Sequence, residues 1–268
     1  MEILILGHNG MLGNAVHLYL KRMGNFRNIE VIQDCRWDSD EYKNKIVQSS
    51  AEFIVNCAGA IPQKKYDSTY YDFLNVELPM FLEESGKKII HASTDCEFSG
   101  ELPYPQKYDK NAKKDAIDDY GKSKAKISEI IVNDFKNTKI IRTSIIGHEK
   151  IGKFSLLDWF LSNGDGVEVN GFTNHWWNGV TTLYWAEFAN SIIMNWDRVL
   201  KINQIGFDGL NKFELLNVIN GVYNRKIIIN EYETEQSINK MLKSDIYVPH
   251  IENQLIKLKK FYSKTNEN

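Results

Sequence analysis

The chain has 268 residues, of which 43% are hydrophobic and 25% charged, and a formal net charge of -2. This length fits one large domain or two unequal ones, with the composition of an ordinary globular protein. The near-neutral charge gives no general attraction to nucleic acid or an anionic membrane, and no apolar run approaches the roughly 18 residues that span a bilayer.

The first strand is expected at residues 3–6, within Glu2-Ile-Leu-Ile-Leu6. This start has neither the basic residues, the longer apolar stretch nor the cleavage site of a secretion signal. Cys35, Cys57 and Cys96 are scattered, without metal-ligand spacing. A cytoplasmic protein with reduced thiols and no metal is therefore expected. Further short runs rich in Ile or Val, at residues 30–32, 53–56, 88–92 and 139–142, read as strands. Amphipathic stretches at 11–23, 41–48, 70–84 and 120–135 read as helices between them. Such alternation predicts a doubly wound α/β fold of Rossmann type, a parallel sheet with helices on both faces. The first domain is expected over 1–150, also receiving a helix near 180–200, with a smaller α/β domain over 151–268. In that second half, 154–160, 183–196 and 212–223 read as helices and 227–229 as a strand. Residues 163–179 read as a loop, 237–243 as a short helix, and the charged tail from Lys257 as frayed.

The motifs with chemical content fall just after the strands, where ligands of such sheets bind. Gly7, Gly10 and Gly13 open the first helix, so the turn at Gly7, Asn9, Gly10, Met11, Leu12 and Gly13 can approach a pyrophosphate and offer it helix N–H groups. A plain connecting turn is the competing account. After the second strand, Asp34 sits where an acid would bind a ribose 2′-hydroxyl, while Arg36 could hold a 2′-phosphate. The two cues conflict, so NADH and NADPH both stay open. Asn56-Cys57-Ala58-Gly59 would let a cofactor lie against the backbone, and Asn75 is a candidate for holding the site open.

Tyr120 and Lys124 are one helical turn apart and share a face. An ammonium beside a phenol should lower its pKa, preparing it to give a proton to a carbonyl oxygen as hydride reaches carbon. The lysine can also reach the nicotinamide ribose. Thr94, with Ser93 as its alternative, can donate to the same oxygen. A surface Tyr-Lys pair and a strand-end hydroxyl are the plainer accounts.

These residues resemble the extended short-chain dehydrogenase/reductase superfamily, in particular its dTDP-4-dehydrorhamnose reductase-like branch. The resemblance is carried by Gly7-x-x-Gly10-x-x-Gly13, Asn56-Cys-Ala-Gly59, Ser93-Thr94-Asp95-Cys96-Glu-Phe98-Ser-Gly100, Tyr120-Gly-Lys-Ser-Lys124 and Arg142-Thr-Ser144. It covers about residues 1 to 150 well and Trp177-Asn-Gly-Val-Thr-Thr182 less closely. It implies NAD(P)H-dependent reduction of a nucleotide-linked 4-keto sugar for deoxysugar and surface polysaccharide synthesis, with Thr94, Tyr120 and Lys124 as the catalytic triad and a homodimer allowed. Asp95-Cys96 replaces the Asp-Glu pair of the dehydratases. Bifunctional 3,5-epimerase/reductases carry a cysteine at this step, so a Cys96 thiolate could serve as base if its pKa is lowered, with His175 as a guess at the acid. A small half-buried cysteine is the simpler account. Asn174, His175, Trp177 and Asn178, together with Ser93 and Asp95, are the candidate substrate contacts; tryptophans closing the core are the competing account. A non-catalytic regulatory subunit of the same fold is the reading from another class.

Overall fold

The computed structural model describes residues 1–64 and 66–263. The chain begins with β1 (Glu2–Leu6), α1 (Met11–Met23), β2 (Asn28–Val31), α2 (Asp40–Gln48) and β3 (Phe53–Asn56). Next, α3 (Ser68–Asp72) continues through a π-helical turn, Phe73–Glu77, into α4 (Leu78–Glu84). Then follow β4 (Lys88–Ser93), α5 (Asp119–Asn133), β5 (Thr138–Arg142), β6 (Ile145–Ile146) and α6 (Leu156–Leu161). The remainder is β7 (Glu168–Phe172), β8 (His175–Trp177), β9 (Val180–Thr181), α7 (Thr182–Met194), β10 (Ile202–Gln204), β11 (Leu210–Asn211), α8 (Lys212–Val222), β12 (Ile228–Tyr232), β13 (Ile238–Asn239) and α9 (Ile251–Ser263).

The main sheet has six parallel strands in the order β10-β5-β4-β3-β1-β2. Its central strands are covered on both faces, which explains their unbroken apolar runs. In β1 the side chains alternate between two cores. Ile3 and Ile5 meet Leu12, Val16 and Leu20 of α1 and Trp185, Ala186 and Ala189 of α7. Leu4 and Leu6 face Ile46 of α2 and Leu78 and Leu82 of α4. Ile127 and Ile131 of α5 close the second face over Ile140 of β5. From β1 the chain steps out to β2 on one edge, then returns past β1 to β3, so the winding direction reverses between β1 and β3. A crevice opens at such a point, at the carboxyl ends of the strands.

The doubly wound α/β reading holds, and the second half corrects its details. The expected loop 163–179 contains β7 and β8; β7 pairs in parallel with β12. The stretch 237–243 is not a helix: its first residues form β13 alongside β8, because pairing with that strand outweighs a weak local helical pattern. The tail from Lys257 is helical as far as Ser263, since Ile251, Leu255 and Leu258 pack into the core, and its last residues, 264–268, lie outside the described residues. The main sheet takes β10, which has no clear sequence signal, from beyond residue 150.

Candidate active site

Gly7 follows β1 directly with φ +76°, and a Cβ there would lie 2.8 Å from Ala58 N and from the Cys57 carbonyl. Only glycine lets the turn pass so close to the segment after β3. A Cβ on Gly13 would come within 2.2 Å of the Gly7 carbonyl oxygen, so the start of α1 is pressed onto the turn. The N-cap, Gly10, contributes no side-chain hydrogen bond, and the first turn of α1 carries no acidic residue. Its N–H groups and dipole are thus aimed at the crevice without a side chain to answer them, which fits an anionic pyrophosphate. Met11 is half-buried at the helix start, Leu12 packs in the core, and Asn9 Oδ1 accepts a 2.9 Å bond from Lys150 Nζ.

Beyond β2, Asp34 is exposed and takes φ +61°. Arg36 is exposed and engages Asp38 through two bonds of 2.9 and 2.7 Å. Beyond β3, Asn56 Oδ1 accepts from Ala58 N (3.1 Å) and so bends Cys57-Ala58-Gly59 across the strand end. Asn75, on the π-helical turn, accepts from Ala60 N at 2.8 Å and donates to Ser123 Oγ at 2.9 Å. It therefore ties that segment to α5; π-turns of this kind cluster at functional sites.

Thr94 and Tyr120 meet at the end of β4. Thr94 follows the strand and caps the turn Asp95–Glu97, accepting from Cys96 N at 3.1 Å and donating to Asp95 Oδ1 at 3.0 Å. Asp118 caps α5 by accepting from Gly121 N at 2.6 Å. A Cβ on Gly121 would lie 2.3 Å from the Cys96 carbonyl oxygen, so this glycine lets α5 close on the Thr94 turn. The result brings the Thr94 hydroxyl close enough to the Tyr120 phenol to favour its ionised form.

Two electrostatic expectations are corrected. The Tyr120 phenol is pushed up, not down: burial dominates, and Cys96, Asp95 and Asp118 add to it against the opposing pull of Thr94. The phenol is therefore fully protonated near neutrality. Lys124 shares its helix face but is drawn to β4 instead, donating to the Ala92 carbonyl at 2.7 Å and lying 3.1 Å from His91 Nε2. Burial lowers the Lys124 pKa to about 8, with Glu97 opposing the shift. Cys96 is likewise no thiolate: burial first, then Asp95, raises its pKa to about 12. That removes the basis for a Cys96 base.

The remaining candidates are held by contacts within the fold. The Ser93 hydroxyl donates to Glu97, which forms a fully buried ion pair with Arg142 at 2.9 Å. Asp95 is buried with its pKa raised by that burial, while Lys240, the Thr94 bond and Lys212 pull it back. Asn174 is consumed by the backbone and hydroxyl of Thr234. His175 Nε2 lies 2.8 Å from Thr234 Oγ1, and burial with Lys212 nearby lowers its pKa, so it is not a charged acid partner. Asn178 is buried and bonded to Phe207 and Leu242 backbone. Trp177 is 4% exposed and packs edge-on against Phe207. Trp177 and Asn178 are thus held in the core, whereas Asn174 and His175 are half-buried and bonded to Thr234. Ring stacking on this side comes instead from Trp176 and Tyr104, with centroids 3.6 Å apart.

Lys212 was not singled out by its sequence. It is the first residue of α8, beside a reciprocal cap between Asn211 and Glu214. Its Nζ lies 5.1 Å from the Trp177 ring, and burial lowers its pKa to about 8 against the pull of Asp95 and Cys96. The Asn-Lys-Phe-Glu capping-box pattern was the available signal, because it puts the lysine at a helix start. Among the described residues no cluster of His, Cys, Asp and Glu could hold a metal ion, and no helix is long and apolar enough to cross a membrane.

Residues 1–156 match the family model described as RmlD substrate binding domain. No curated protein matches the chain. A dTDP-4-dehydrorhamnose reductase of Bacillus anthracis, solved in complex with NADP, is similar over 98% of this chain and 99% of its own, with TM-score 0.82 at 17% identity. One from Clostridium acetobutylicum is similar over 98% of this chain and all 100% of its own, with TM-score 0.79 at 17% identity. A UDP-glucose 4-epimerase of Thermotoga maritima, solved with UDP-glucose, gives TM-score 0.77 at 15% identity over 99% of this chain and 100% of its own. At these identities the likeness is one of fold.

Proposed function

The chain belongs to the RmlD substrate binding domain family, and on that premise we propose that it is a nicotinamide-dependent reductase of a nucleotide-linked 4-keto sugar, of the dTDP-4-dehydrorhamnose reductase type. The observation that carries this reading is the Thr94 hydroxyl beside the Tyr120 phenol at the end of β4, next to the reversal of winding at β1 and β3. The uncapped start of α1 would hold the cofactor's pyrophosphate, with Gly7 and Ala58 allowing close approach. Asp34 and Arg36 stand where the adenosine ribose would end, and the reading covers both NADH and NADPH.

Reduced nicotinamide, when bound, supplies hydride to the ketone carbon. Tyr120 then gives its phenolic proton to the ketone oxygen; the phenol holds that proton at neutral pH and so is in the state a donor needs. Thr94 donates to the same oxygen and steadies the developing alkoxide. Lys124 stands one turn along α5, where its Nζ can turn from the Ala92 carbonyl to a ribose hydroxyl. Lys212 and Lys240 bring positive charge beside Asp95, which suits the diphosphate of a nucleotide sugar.

Cys96 supports reduction without epimerisation, because a thiol with a pKa of about 12 is a poor base at neutral pH. The free cysteines fit a reducing compartment, and the reading is of a cytoplasmic enzyme. The test is oxidation of NADH or NADPH by the purified protein with a panel of nucleotide-linked 4-keto sugars. Turnover with one of them supports the reading, and none with any of them, despite cofactor binding, favours a regulatory subunit.

A further inference from the structure

The imidazole of His91 lies on β4 and is 1% exposed. Its two nitrogens both face nitrogen atoms: Nδ1 is 3.2 Å from Asn56 Nδ2, and Nε2 is 3.1 Å from Lys124 Nζ. A neutral imidazole has one N–H donor and one acceptor. Burial and the lysine's charge both hold His91 neutral. An amide NH2 only donates, and an ammonium only donates, so one neutral ring cannot serve both.

Turning the Asn56 amide over would resolve this only at the cost of a backbone bond. Its Oδ1 accepts from Ala58 N at 3.1 Å. The NH2 therefore faces His91, Nδ1 must accept, and the ring proton sits on Nε2, aimed at Lys124. That arrangement is satisfied when Lys124 is an uncharged amine, donating to the Ala92 carbonyl at 2.7 Å and accepting from the ring. Protonating the amine removes its lone pair. The ring proton must then move to Nδ1, and Asn56 must present its oxygen to it, releasing the Ala58 N–H.

We infer that Lys124, His91 and Asn56 form a proton-linked relay, in which charging the lysine switches the His91 tautomer and frees the Ala58 amide at the cofactor cradle. His91 and Asn56 are then positioning residues that act through Lys124 and through Ala58. The inference rests on the proposed reduction for its purpose: the charged lysine that holds a ribose hydroxyl would be made ready together with the backbone beside Gly7, whose Cβ position is 2.8 Å from Ala58 N. The groups that face this relay are few. Glu97, after β4, favours the charged lysine; Tyr120 lies one turn back on α5; and Lys124 is itself the charge that faces His91. The lysine's pKa of about 8 puts both states within reach of ordinary pH.

Nitrogen NMR of the His91 ring and the Ala58 amide in the intact ligand-free protein, titrated from about pH 6.5 to about pH 9.5, reads the relay without needing turnover. The expected result is an Nε2–H ring at the upper end and an Nδ1–H ring at the lower end, with the Ala58 amide shifting at the same midpoint and the titration lost in Lys124→Met. A single tautomer throughout, an imidazolium, or an Ala58 amide that ignores the lysine overturns it. Asn56→Asp gives an independent check. Its carboxylate accepts from Nδ1–H, which leaves Nε2 to accept from the ammonium, so the basic limb of the kcat/KM profile should move up by about one pH unit or more. An unmoved limb in a folded, active variant counts against the relay. Absence of any reductase activity in the parent protein, with the NMR titration intact, would fault the proposed reaction and leave the relay standing.

Discussion

The guanidinium of Arg142 lies 2.9 Å from the carboxylate of Glu97, and both side chains are fully buried directly behind the Thr94 turn. Arg142 also donates to the Lys110 carbonyl (3.0 Å), Gln204 Oε1 (3.1 Å) and Ser128 Oγ (2.9 Å), so its charge is answered on several sides. Removing one member of such a pair leaves a buried charge unanswered. Arg142→Leu should lower unfolding free energy by about 3–5 kcal/mol in a denaturant titration. A loss under about 1 kcal/mol would mean that the pair does not hold the turn.

The cofactor cradle depends on the fit of Gly13 against Gly7. An alanine methyl at position 13 would meet the Gly7 carbonyl oxygen at 2.2 Å, and that atom is backbone, which cannot swing aside. Gly13→Ala should therefore abolish the rise in melting temperature that NADH or NADPH produces, since a ligand stabilises only the state it binds. An undiminished rise would show that the glycine turn is only a connector.

Cys96 is assigned no proton transfer. Cys96→Ala should leave turnover within a factor of a few of the parent. When the reaction is run in deuterated water, neither protein should place deuterium at carbons beside the ketone. Incorporation that depends on Cys96 would restore the epimerase reading.

The two lysines with lowered pKa values make a prediction about stability and pH. Lys124 and Lys212 both have folded-state pKa values lowered from 10.5 to about 8. A lowered lysine pKa means that the folded state disfavours the charged form. Below about pH 8 both states carry the proton and the cost is full; from about 8 to about 10.5 the unfolded chain alone holds it, so stability rises with pH. For Lys124, which is 5% exposed, the cost is on the order of 3 kcal/mol. The melting temperature of Lys124→Met should exceed the parent's below about pH 8, with the gap closing as pH rises towards about 10.5. A gap that widens with pH would contradict the sign.

Much of the first half was legible because its signals are local. The alternation of Ile3, Leu4, Ile5 and Leu6 marks a strand buried on both faces, and Gly7, Gly10 and Gly13 mark the turn that follows it. Thr94 and Tyr120 could be paired because each falls at the carboxyl end of the sheet. The second half depends on long-range partners. Ile238 and Asn239 form a strand only through β8, and Ile202–Gln204 only through β5. The same limit applies in the site. The spacing of Tyr120 and Lys124 places them on one face, but not which partner the ammonium chooses; His91 and the Ala92 carbonyl come from a different element. Asn174 and Asn178 looked like ligand contacts, whereas Thr234, Phe207 and Leu242, remote in sequence, use their hydrogen bonds.

The role of the Tyr120 phenol is tested most directly by hydride transfer in Tyr120→Phe, with a nucleotide-linked 4-keto sugar that the parent protein reduces. The phenyl ring keeps the packing against Tyr71, whose ring centroid is 6.1 Å away, and removes only the hydroxyl beside Thr94. Turnover should fall by about 10²–10⁴-fold while the cofactor's effect on melting temperature is retained. Parent-like turnover in the variant would contradict the assignment of Tyr120 as the proton donor.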